Sequence, residues 1–347
     1  MRLISYDQPE SVWPVSGSVL IENGVIYALA GRSMFLDGGM RLLRLDTMTG
    51  KKLSETILND RDPRTGKNLQ SRINYKKMPV AMPDILSSDG KFVYMRSQRF
   101  GLDGRRAVID PELQTDQQGE GIHLFCPTGF LDDSWFHRTY WIYGKNAGEG
   151  WAEWFVAARL VPAGRILTFD DKYVYGYGRD PQYLCNSSVL EYRLFAADKN
   201  FDPERVARVE NAKIPQDTVN WKNRIKRPET DLCAVHHIWM TEKPKVITKA
   251  MVLADQTLFV AGPPDVVDEQ KIWGHTLESQ VQAQLKEQSE ALEGKQGSLL
   301  WAVSAADGAK LAEYKLESVP VFDGMSAANG RLYLSMKNGS ILCMAGK

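Results

Sequence analysis

Apolar residues in this chain come in short runs, and tight-turn dipeptides interrupt these runs at recurring places. The five dipeptides are Asn23-Gly24, Asp89-Gly90, Asp170-Asp171, Asp255-Gln256 and Asn329-Gly330. Asn-Gly and Asp-Gly readily adopt the positive φ angles of two-residue hairpins. β-Branched and aromatic residues, which favour strands, flank each turn. The pattern therefore predicts five β-hairpins, at 18–30, 84–96, 165–178, 250–262 and 325–336.

A second strand element follows some of these hairpins, at 42–51, 190–198 and 299–310. Each copy closes in a turn that begins with an aspartate, whose side chain accepts backbone hydrogen bonds two residues further on. Two hairpins make a four-stranded blade, and apolar residues run on consecutively, which indicates that both faces of the strands are buried. The sequence thus predicts an all-β fold: a β-propeller of four-stranded antiparallel blades. About five blade units are recognisable, in a ring that this sequence either completes or leaves incomplete.

The turns are 66, 81, 85 and 74 residues apart, whereas ordinary blades need about 40–50 residues. The blades therefore carry insertions, and one of these is predicted to be helical. Leu277, Val281, Leu285 and Leu292 recur at four- and seven-residue steps within 275–293, and Gly294 is a suitable stop. We expect one domain over 1–347 that lacks N-terminal blades, with 263–297 as an inserted loop and helix. The helix either packs on the propeller or binds a partner.

Composition narrows the classes of function. The chain has 347 residues, of which 43% are hydrophobic, and it has 43 basic and 43 acidic residues. Zero net charge makes no electrostatic case for nucleic acid as a partner. No apolar run reaches the ~20 residues of a transmembrane segment. The four cysteines form no CxxC pair, which argues against a cysteine zinc site.

The N-terminus turns polar within its first seven residues, too early for a signal peptide. The localisation therefore stays open from the residues alone. Either the chain remains inside the cell or its true N-terminus is missing.

The Leu-Asp-x-x-Thr-Gly-Lys element at 45–51 resembles the repeat of pyrroloquinoline-quinone-like propellers. That group includes quinoprotein alcohol dehydrogenases and the lipoprotein scaffold of outer-membrane barrel assembly. More closely, the chain resembles large quinoprotein-like propeller proteins of planctomycete-type bacteria, a group without a settled activity. The matching stretches are 7–15, 31–39, 127–141, 261–265 and 320–325. The resemblance implies a bacterial propeller that is exported or periplasmic if the N-terminus is missing.

Two departures from this resemblance affect what it implies. The relatives carry further blades before Asp7-Gln8. The quinoprotein repeat also has a tryptophan four residues after its glycine, where Ser54 and Ala312 stand here. The second departure weakens the expectation of a tryptophan-docked dehydrogenase propeller.

The first candidate functional site comprises residues 132–138. A quinoprotein needs a tryptophan plate for the quinone, calcium held by oxygen ligands and an aspartate base, and Asp132 and Asp133 beside Trp135 imitate that set. The alternative is that the two aspartates cap a turn while the indole packs between blades. His137 and Arg138 suit proton transfer or anion binding, or a purely structural role.

Charged residues also follow the second strand of several hairpins, where equivalent loops of a propeller gather on one face. They are Arg32, Asp37, Arg96, Arg99, Arg179, Asp180 and Asp265. A ring of Arg and Asp would bind an anionic or sugar-like ligand, since arginine offers a bidentate fork. The alternative is solvated loops with local Arg–Asp pairs.

The function predicted from the sequence is a non-catalytic binding or scaffolding propeller. Its partner is a protein or a carbohydrate-like ligand on the loop face, and it needs no cofactor or metal. The alternative is a quinoprotein-type oxidoreductase that binds pyrroloquinoline quinone with calcium. A third option is a polysaccharide-active enzyme, because propellers host lyases and hydrolases.

Overall fold

The structure is a computed structural model, and it describes most of the chain. The described residues are 2–5, 7–15, 19–68, 86–95, 98–107, 122–125, 141–144, 158–179, 192–211, 233–241, 243–272 and 274–346. The chain divides into two compact units, Met1–Phe130 with Trp141–Ala157 and Leu131–Tyr140 with Ala158–Lys347. The expectation of one domain over 1–347 stays a prediction.

In the first unit, the four strands between Leu20 and Leu58, β3 to β6, make an antiparallel sheet in consecutive order. The three strands between Ser87 and Gly101, β7 to β9, make a second sheet. Strands β1 and β2 pair with each other, as do β10 and β11. Tyr27, Met40, Leu58 and Phe100 are fully buried in one apolar cluster that joins the two larger sheets. The strands are β1 Arg2–Ser5, β2 Gln8–Ser11, β3 Leu20–Glu22, β4 Val25–Ala30, β5 Met40–Asp46, β6 Lys52–Leu58, β7 Ser87–Ser88, β8 Phe92–Met95, β9 Gln98–Gly101, β10 His123–Phe125 and β11 Trp141–Gly144.

The second unit contains twelve of the described strands. They are β12 Ala163–Gly164, β13 Ile166–Phe169, β14 Tyr173–Arg179, β15 Tyr192–Asp198, β16 His237–Met240, β17 Ala250–Ala254, β18 Thr257–Gly262, β19 Ser298–Ser304, β20 Lys310–Leu316, β21 Pro320–Ala328, β22 Arg331–Met336 and β23 Ile341–Ala345. Its described helices are α1 Pro203–Asn211, α2 Glu269–Ile272 and α3 Ser279–Leu292.

Sheets β13-β14-β15-β16 and β17-β18-β19-β20 have four strands, and β21-β22-β23 has three. The first strands lie side by side, with β17 against both β13 and β21. Apolar clusters fill the space between successive sheets, one around Leu194 and Leu258 and the other around Leu300 and Leu334. Both faces of the inner strands are therefore covered, as the consecutive apolar runs predicted. The predicted fold class, an all-β propeller of four-stranded antiparallel blades, is confirmed.

The five predicted hairpins all exist, and four of their turns are of two kinds. Asn23-Gly24 and Asn329-Gly330 have positive φ at both positions, as an Asn-Gly hairpin requires. At Asp170 the side chain makes the turn instead, because Oδ1 accepts the backbone N–H groups of Lys172 and Tyr173 at 2.7 Å each. Oδ2 accepts the hydroxyl of Tyr175 at 2.9 Å. Asp89 makes the same three kinds of contact in its own hairpin.

Two of the three predicted aspartate-initiated turns that end the third strands, at Asp46 and Asp198, are confirmed. Asp46 Oδ1 accepts the Thr49 backbone N–H at 2.8 Å and the Thr49 hydroxyl at 2.7 Å. In the turn at 304–308, Ser304 stands in the place of Asp46, and the direction of the side-chain hydrogen bond is reversed. The Ser304 hydroxyl donates to the carboxylate of Asp307, and this bond lowers the pKa of Asp307. The sequence 62–67, Asp-Pro-Arg-Thr-Gly-Lys, repeats the Asp46 turn with Asp62 Oδ1 accepting from Arg64 and Thr65.

A tryptophan links one blade to the next in the second unit. Trp239 lies on the fourth strand β16 and donates its indole N–H to Ala305 O at 2.9 Å. Its ring covers Gly308, where a Cβ atom would lie 2.6 Å from Trp239 Cε3. Ser54 and Ala312 do leave the expected repeat positions without tryptophan, but this contact supplies a docked tryptophan from a distant part of the chain.

The predicted helical insertion is present, although α3 begins at Ser279 rather than near 275. Gly294 follows it with φ +86, as expected of a helix stop. Val281 packs with Val267 and Ile272 in a small apolar cluster. The buried amide of Gln288 accepts from Val266 N at 2.9 Å and donates to Pro264 O at 3.1 Å, so α3 packs on the loop that follows β18. Among the described residues, none of the helices has the length and apolar character needed to cross a membrane.

Candidate functional site

The structure describes part of the predicted ring of loop charges, and two of its members pair with each other. Arg32 and Asp37 form an ion pair with each other within the loop after β4. Arg99 lies on β9 with its guanidinium 4.6 Å from the centre of the Phe92 ring. Arg179 is the last residue of β14, in register with Tyr192, and only its backbone is described. Arg96, Asp132, Asp133, Trp135, His137, Arg138 and Asp180 lie outside the described residues.

Asp265 is the predicted site residue with the most perturbed environment. The segment before β17 runs antiparallel to the segment after β18, so that Asp265 N donates to Lys245 O at 3.2 Å. Burial raises the pKa of Asp265 to about 6, while the charge of Lys245 and the N–H of Val267 lower it. Its Oδ1 is buried and has no hydrogen-bond partner among the described residues. This carboxyl group therefore titrates close to neutrality.

A second group of polar residues lies where the chain enters the first strands of the three sheets in the second unit. We call this group the inner-strand rim, and it comprises Arg165, Thr248, Lys249, Phe322 and Asp323. Arg165 directly precedes β13, Lys249 directly precedes β17, and Asp323 lies within β21. Because β13, β17 and β21 are neighbours, these residues converge although up to 158 positions separate them in sequence.

Specific contacts hold the rim together. Asp323 N donates to Lys249 O at 2.8 Å, which fixes β21 to the entry of β17. The guanidinium carbon of Arg165 lies 5.5 Å from the centre of the Phe322 ring, within cation–π range. Arg165 N and Lys249 N each donate to the second strand of their own hairpin, at Tyr177 O (2.9 Å) and Ala261 O (2.8 Å). The Phe322-Asp323 dipeptide therefore bridges the entries of both preceding sheets.

Two features indicate that Asp323 is held in a special conformation. Its φ is +54, a left-handed value that Asp tolerates better than most residues. The register of β21 against β22 also jumps between Pro320 and Met325, so four residues of β21 bulge out opposite Ser335. Bulges and unusual backbone angles of this kind recur at functional sites, where they aim a side chain.

The rim contains two buried basic side chains and one exposed carboxyl group with a raised pKa. Only 3% of Arg165 and 4% of Lys249 is exposed. Asp323 is exposed to solvent, and desolvation by the protein packed around its carboxyl group raises the pKa of Asp323 to about 7. Near neutral pH the group is therefore present in both forms. It donates a hydrogen bond when protonated and accepts when ionised.

The rim does not fit a calcium-bound quinone. Calcium takes about six to eight oxygen ligands, whereas Asp323 is the single carboxylate of the rim. Among the described residues, no three His, Cys, Asp or Glu side chains lie close enough together to hold a metal ion. Trp239 is occupied in docking on the Gly308 turn, and no chemical step through a quinone follows from this arrangement.

Sequence reasoning missed the rim because it searched the loops after the second strands. A signal did exist: Arg165 and Lys249 are charged residues directly before apolar strands that read as buried on both faces. A charge at the edge of such a strand has to find a polar environment. Asp323 stands in the corresponding place before Met325, so the three residues form a pattern across three hairpins.

No protein-family model matches the chain, and no curated protein sequence matches it. Among solved structures, BamB from Moraxella catarrhalis is similar over 97% of this chain and 72% of its own length, with 10% identity and a TM-score of 0.38. A quinohemoprotein alcohol dehydrogenase from Comamonas testosteroni is similar over 96% of this chain, with 12% identity and a TM-score of 0.28. Dihydro-heme d1 dehydrogenase NirN is similar over 97%, with 12% identity and a TM-score of 0.31.

This chain spans 42% of the length of that alcohol dehydrogenase and 56% of that of NirN, less than two thirds in both cases. Its propeller fold is evident from its own sheets. None of these similarities assigns it a ligand, a partner or an activity.

Proposed function

We propose that the chain is a non-catalytic binding module of the pyrroloquinoline-quinone-like propeller type, and that the inner-strand rim is its ligand contact. The repeated Asp-x-x-Thr-Gly-Lys turns at Asp46 and Asp62 and the docked Trp239 support the propeller type. A kinship with propeller proteins of planctomycete-type bacteria and an exported or periplasmic location remain predictions.

The observation that carries the binding function is the placement of Asp323. The residue reaches solvent from a bulge, its backbone is held in a left-handed conformation, and the pKa of its carboxyl group is raised to about 7. A ligand can therefore reach this group from solvent and hydrogen-bond to it. When it is protonated, Asp323 donates a hydrogen bond, which favours ligands that present oxygen atoms. Such oxygens occur both in the carboxylate and hydroxyl side chains of a protein and in a sugar.

The test compares two aspartates with the same backbone conformation. Asp255, in the turn that ends β17, has φ +56 against +54 for Asp323, so Asp255→Lys is the matched control for Asp323→Lys. The probes are a panel of neutral and uronate-containing oligosaccharides and a panel of purified candidate partner proteins, measured by titration calorimetry. We expect a probe whose affinity falls about tenfold, or 1.4 kcal/mol, with Asp323→Lys and is unchanged with Asp255→Lys.

The dependence on pH gives a second readout. For a ligand with acceptor oxygens, affinity should decrease between about pH 6 and pH 8 as Asp323 loses its proton, and Asp323→Asn should remove this dependence. The proposal is refuted if Asp323→Lys and Asp255→Lys weaken binding equally. It is also refuted if Asp323→Lys changes the affinity for none of the probes. The oxidoreductase alternative is tested by dye reduction with added pyrroloquinoline quinone and calcium, where we expect no activity.

A further inference from the structure

The segment that links β18 to α2 is held from two sides. On one side it runs antiparallel to the chain before β17, where Ile247 N donates to Pro263 O at 2.9 Å. Two residues further on, Asp265 N donates to Lys245 O at 3.2 Å. On the other side lies α3, whose Gln288 amide bonds to the same segment. The segment is therefore the connection between the sheet β17–β20 and the helical insertion.

Gln288 forms the α3 side of this connection. Its Oε1 atom accepts the N–H groups of Val266 at 2.9 Å and Val267 at 3.3 Å. Its Nε2 atom donates to Pro264 O at 3.1 Å. Only 3% of Val267 is exposed, and its side chain packs with that of Val281 on α3. The hydrogen bonds of one buried amide and one apolar contact therefore couple α3 to this segment.

Asp265 lies in the middle of this connection, and the surroundings of its carboxyl group disfavour a negative charge. Its Oδ1 atom is buried and has no hydrogen-bond partner among the described residues. A buried charged oxygen without a donor costs much more free energy than a neutral one. Burial accordingly raises the pKa of Asp265 to about 6. The segment therefore packs best while Asp265 is protonated.

Charged groups approach Asp265 from both flanking parts of the chain, while α3 contributes a neutral amide. Besides burial, Lys245 before β17 lowers the pKa of Asp265, and Asp268 directly before α2 raises it. Lys243 Nζ lies 2.6 Å and Lys271 Nζ 3.5 Å from Asp268 Oδ2. Burial opposes the ionisation of Asp268, but the hydrogen bond from Lys243 lowers its pKa overall. Near pH 6 the charge that changes in this group is therefore that of Asp265.

We propose that residues 264–268 form a latch between the propeller and α3, which protonation of Asp265 closes and ionisation of Asp265 opens. In the closed latch the bonds to Gln288 are made and Val267 is buried. In the open latch the segment moves away from α3, so that water reaches the charged carboxylate and the apolar cluster around Val267 is exposed. Because the closed state holds the proton more tightly, it is favoured at low pH, and this advantage is lost as the pH rises through about 6.

Amide hydrogen exchange at residue resolution on the full chain tests the latch. The reporters are the amides of Val266 and Val267, which donate to Gln288. The control is the amide of Lys249, which donates to Ala261 O beside the β17–β18 hairpin. Once the intrinsic pH dependence of exchange is divided out, opening at the reporters should rise about tenfold between about pH 5 and pH 8, a factor that allows for the partial exposure of Asp265. The control amide should keep its protection.

Matched substitutions separate Asp265 from the other carboxyl group that titrates in this range. Asp265→Asn removes the charge but keeps the size of the side chain, so both reporter amides should stay protected at low and at high pH. Asp323→Asn is the control, because the pKa of Asp323 is also raised, to about 7, while the residue lies in the inner-strand rim. It should leave the change at the reporters intact. Lys245→Gln should move the midpoint of opening to higher pH, since Lys245 favours the ionised form of Asp265.

The proposal is overturned if the reporter amides are equally protected at low and at high pH, or if their change persists in Asp265→Asn. Persistence would place the titrating group elsewhere in the insertion, for example at His275, which pairs with Glu278. A parallel loss of protection at Lys249 would also overturn it, because the sheet and not the latch would then open. If Asp265→Asn does not fold, Lys245→Gln decides, and an unchanged midpoint refutes the latch.

Discussion

Gly308 permits a direct measurement of how strongly one blade is docked on the next. Its φ is +74, and an added Cβ would lie 2.6 Å from Trp239 Cε3 and 2.9 Å from Trp239 Cδ2. Gly50 occupies the same place in the Asp46 turn, with φ +68 and no atom within 4 Å of an added Cβ. Both N–H groups donate to the first residue of their turn at 2.9 Å. Gly50→Ala is therefore the matched control for Gly308→Ala.

The magnitudes follow from these distances. Both substitutions place a side chain in the left-handed region, at a cost of about 1–2 kcal/mol. In Gly308→Ala the methyl group also has to displace the indole. We expect about 1–3 kcal/mol for overpacking and about 1 kcal/mol for weakening the bond from Trp239 to Ala305. The expected loss in the free energy of unfolding is thus about 3–6 kcal/mol for Gly308→Ala and about 1–2 kcal/mol for Gly50→Ala.

Urea unfolding of the single variants and of a double variant with Trp239→Ala separates the two causes. In the Trp239→Ala background no ring opposes the methyl group, so Gly308→Ala should cost no more than Gly50→Ala does in the wild type. Equal losses for the two glycine variants in the wild type would refute the docking argument. So would a Gly308→Ala cost that does not change when Trp239 is removed.

Three further predictions concern buried polar contacts. Burial raises the pKa of Asp265 to about 6 in the folded chain. The protonated carboxyl group therefore contributes to stability below about pH 4, and this contribution is lost as the pH rises through 6. In urea unfolding, Asp265→Asn should therefore raise the free energy of unfolding by about 1 kcal/mol near pH 8, a value that allows for the partial exposure of the group. Near pH 4 the substitution should hardly change the free energy of unfolding. Tyr175→Phe removes the bond to Asp170 and should cost about 1 kcal/mol at neutral pH. Because the pKa of Asp170 is lowered, this cost should shrink below about pH 4, and a constant cost would contradict the assignment. Gln288→Leu leaves buried N–H groups unpaired and should cost about 2–3 kcal/mol, with faster hydrogen exchange at Val267; unchanged exchange would show that α3 does not hold this loop.

The elements that could be predicted from the sequence are those that short-range rules control. A hairpin such as 250–262 was located correctly because an apolar run, a turn dipeptide and a second apolar run are contiguous. The Asp46 turn could be predicted because the carboxylate that stabilises it is only three residues from the Thr49 groups that donate to it. The helix α3 follows from apolar spacing, since residues on one face of a helix are three or four positions apart.

The pairing of the loop charges was decided in the folded chain. Arg32 and Asp37 looked like part of a ring but satisfy each other across five residues, because a nearby partner costs less chain entropy than a distant ligand. The docking role of Trp239 could not be predicted from the sequence. The third strand of its sheet ends at Asp198, and a long connection that includes α1 separates this strand from Trp239.

The inner-strand rim is the clearest case of a feature that the linear chain conceals. Hydrophobicity along the sequence determines which segments become buried strands, since burial of apolar side chains drives their formation. It does not determine which strand entries become neighbours. That is decided when β13, β17 and β21 pack side by side. Only then do the strand entries that carry Arg165, Lys249 and Asp323 become neighbours, and desolvation by the surrounding protein raises the pKa of Asp323.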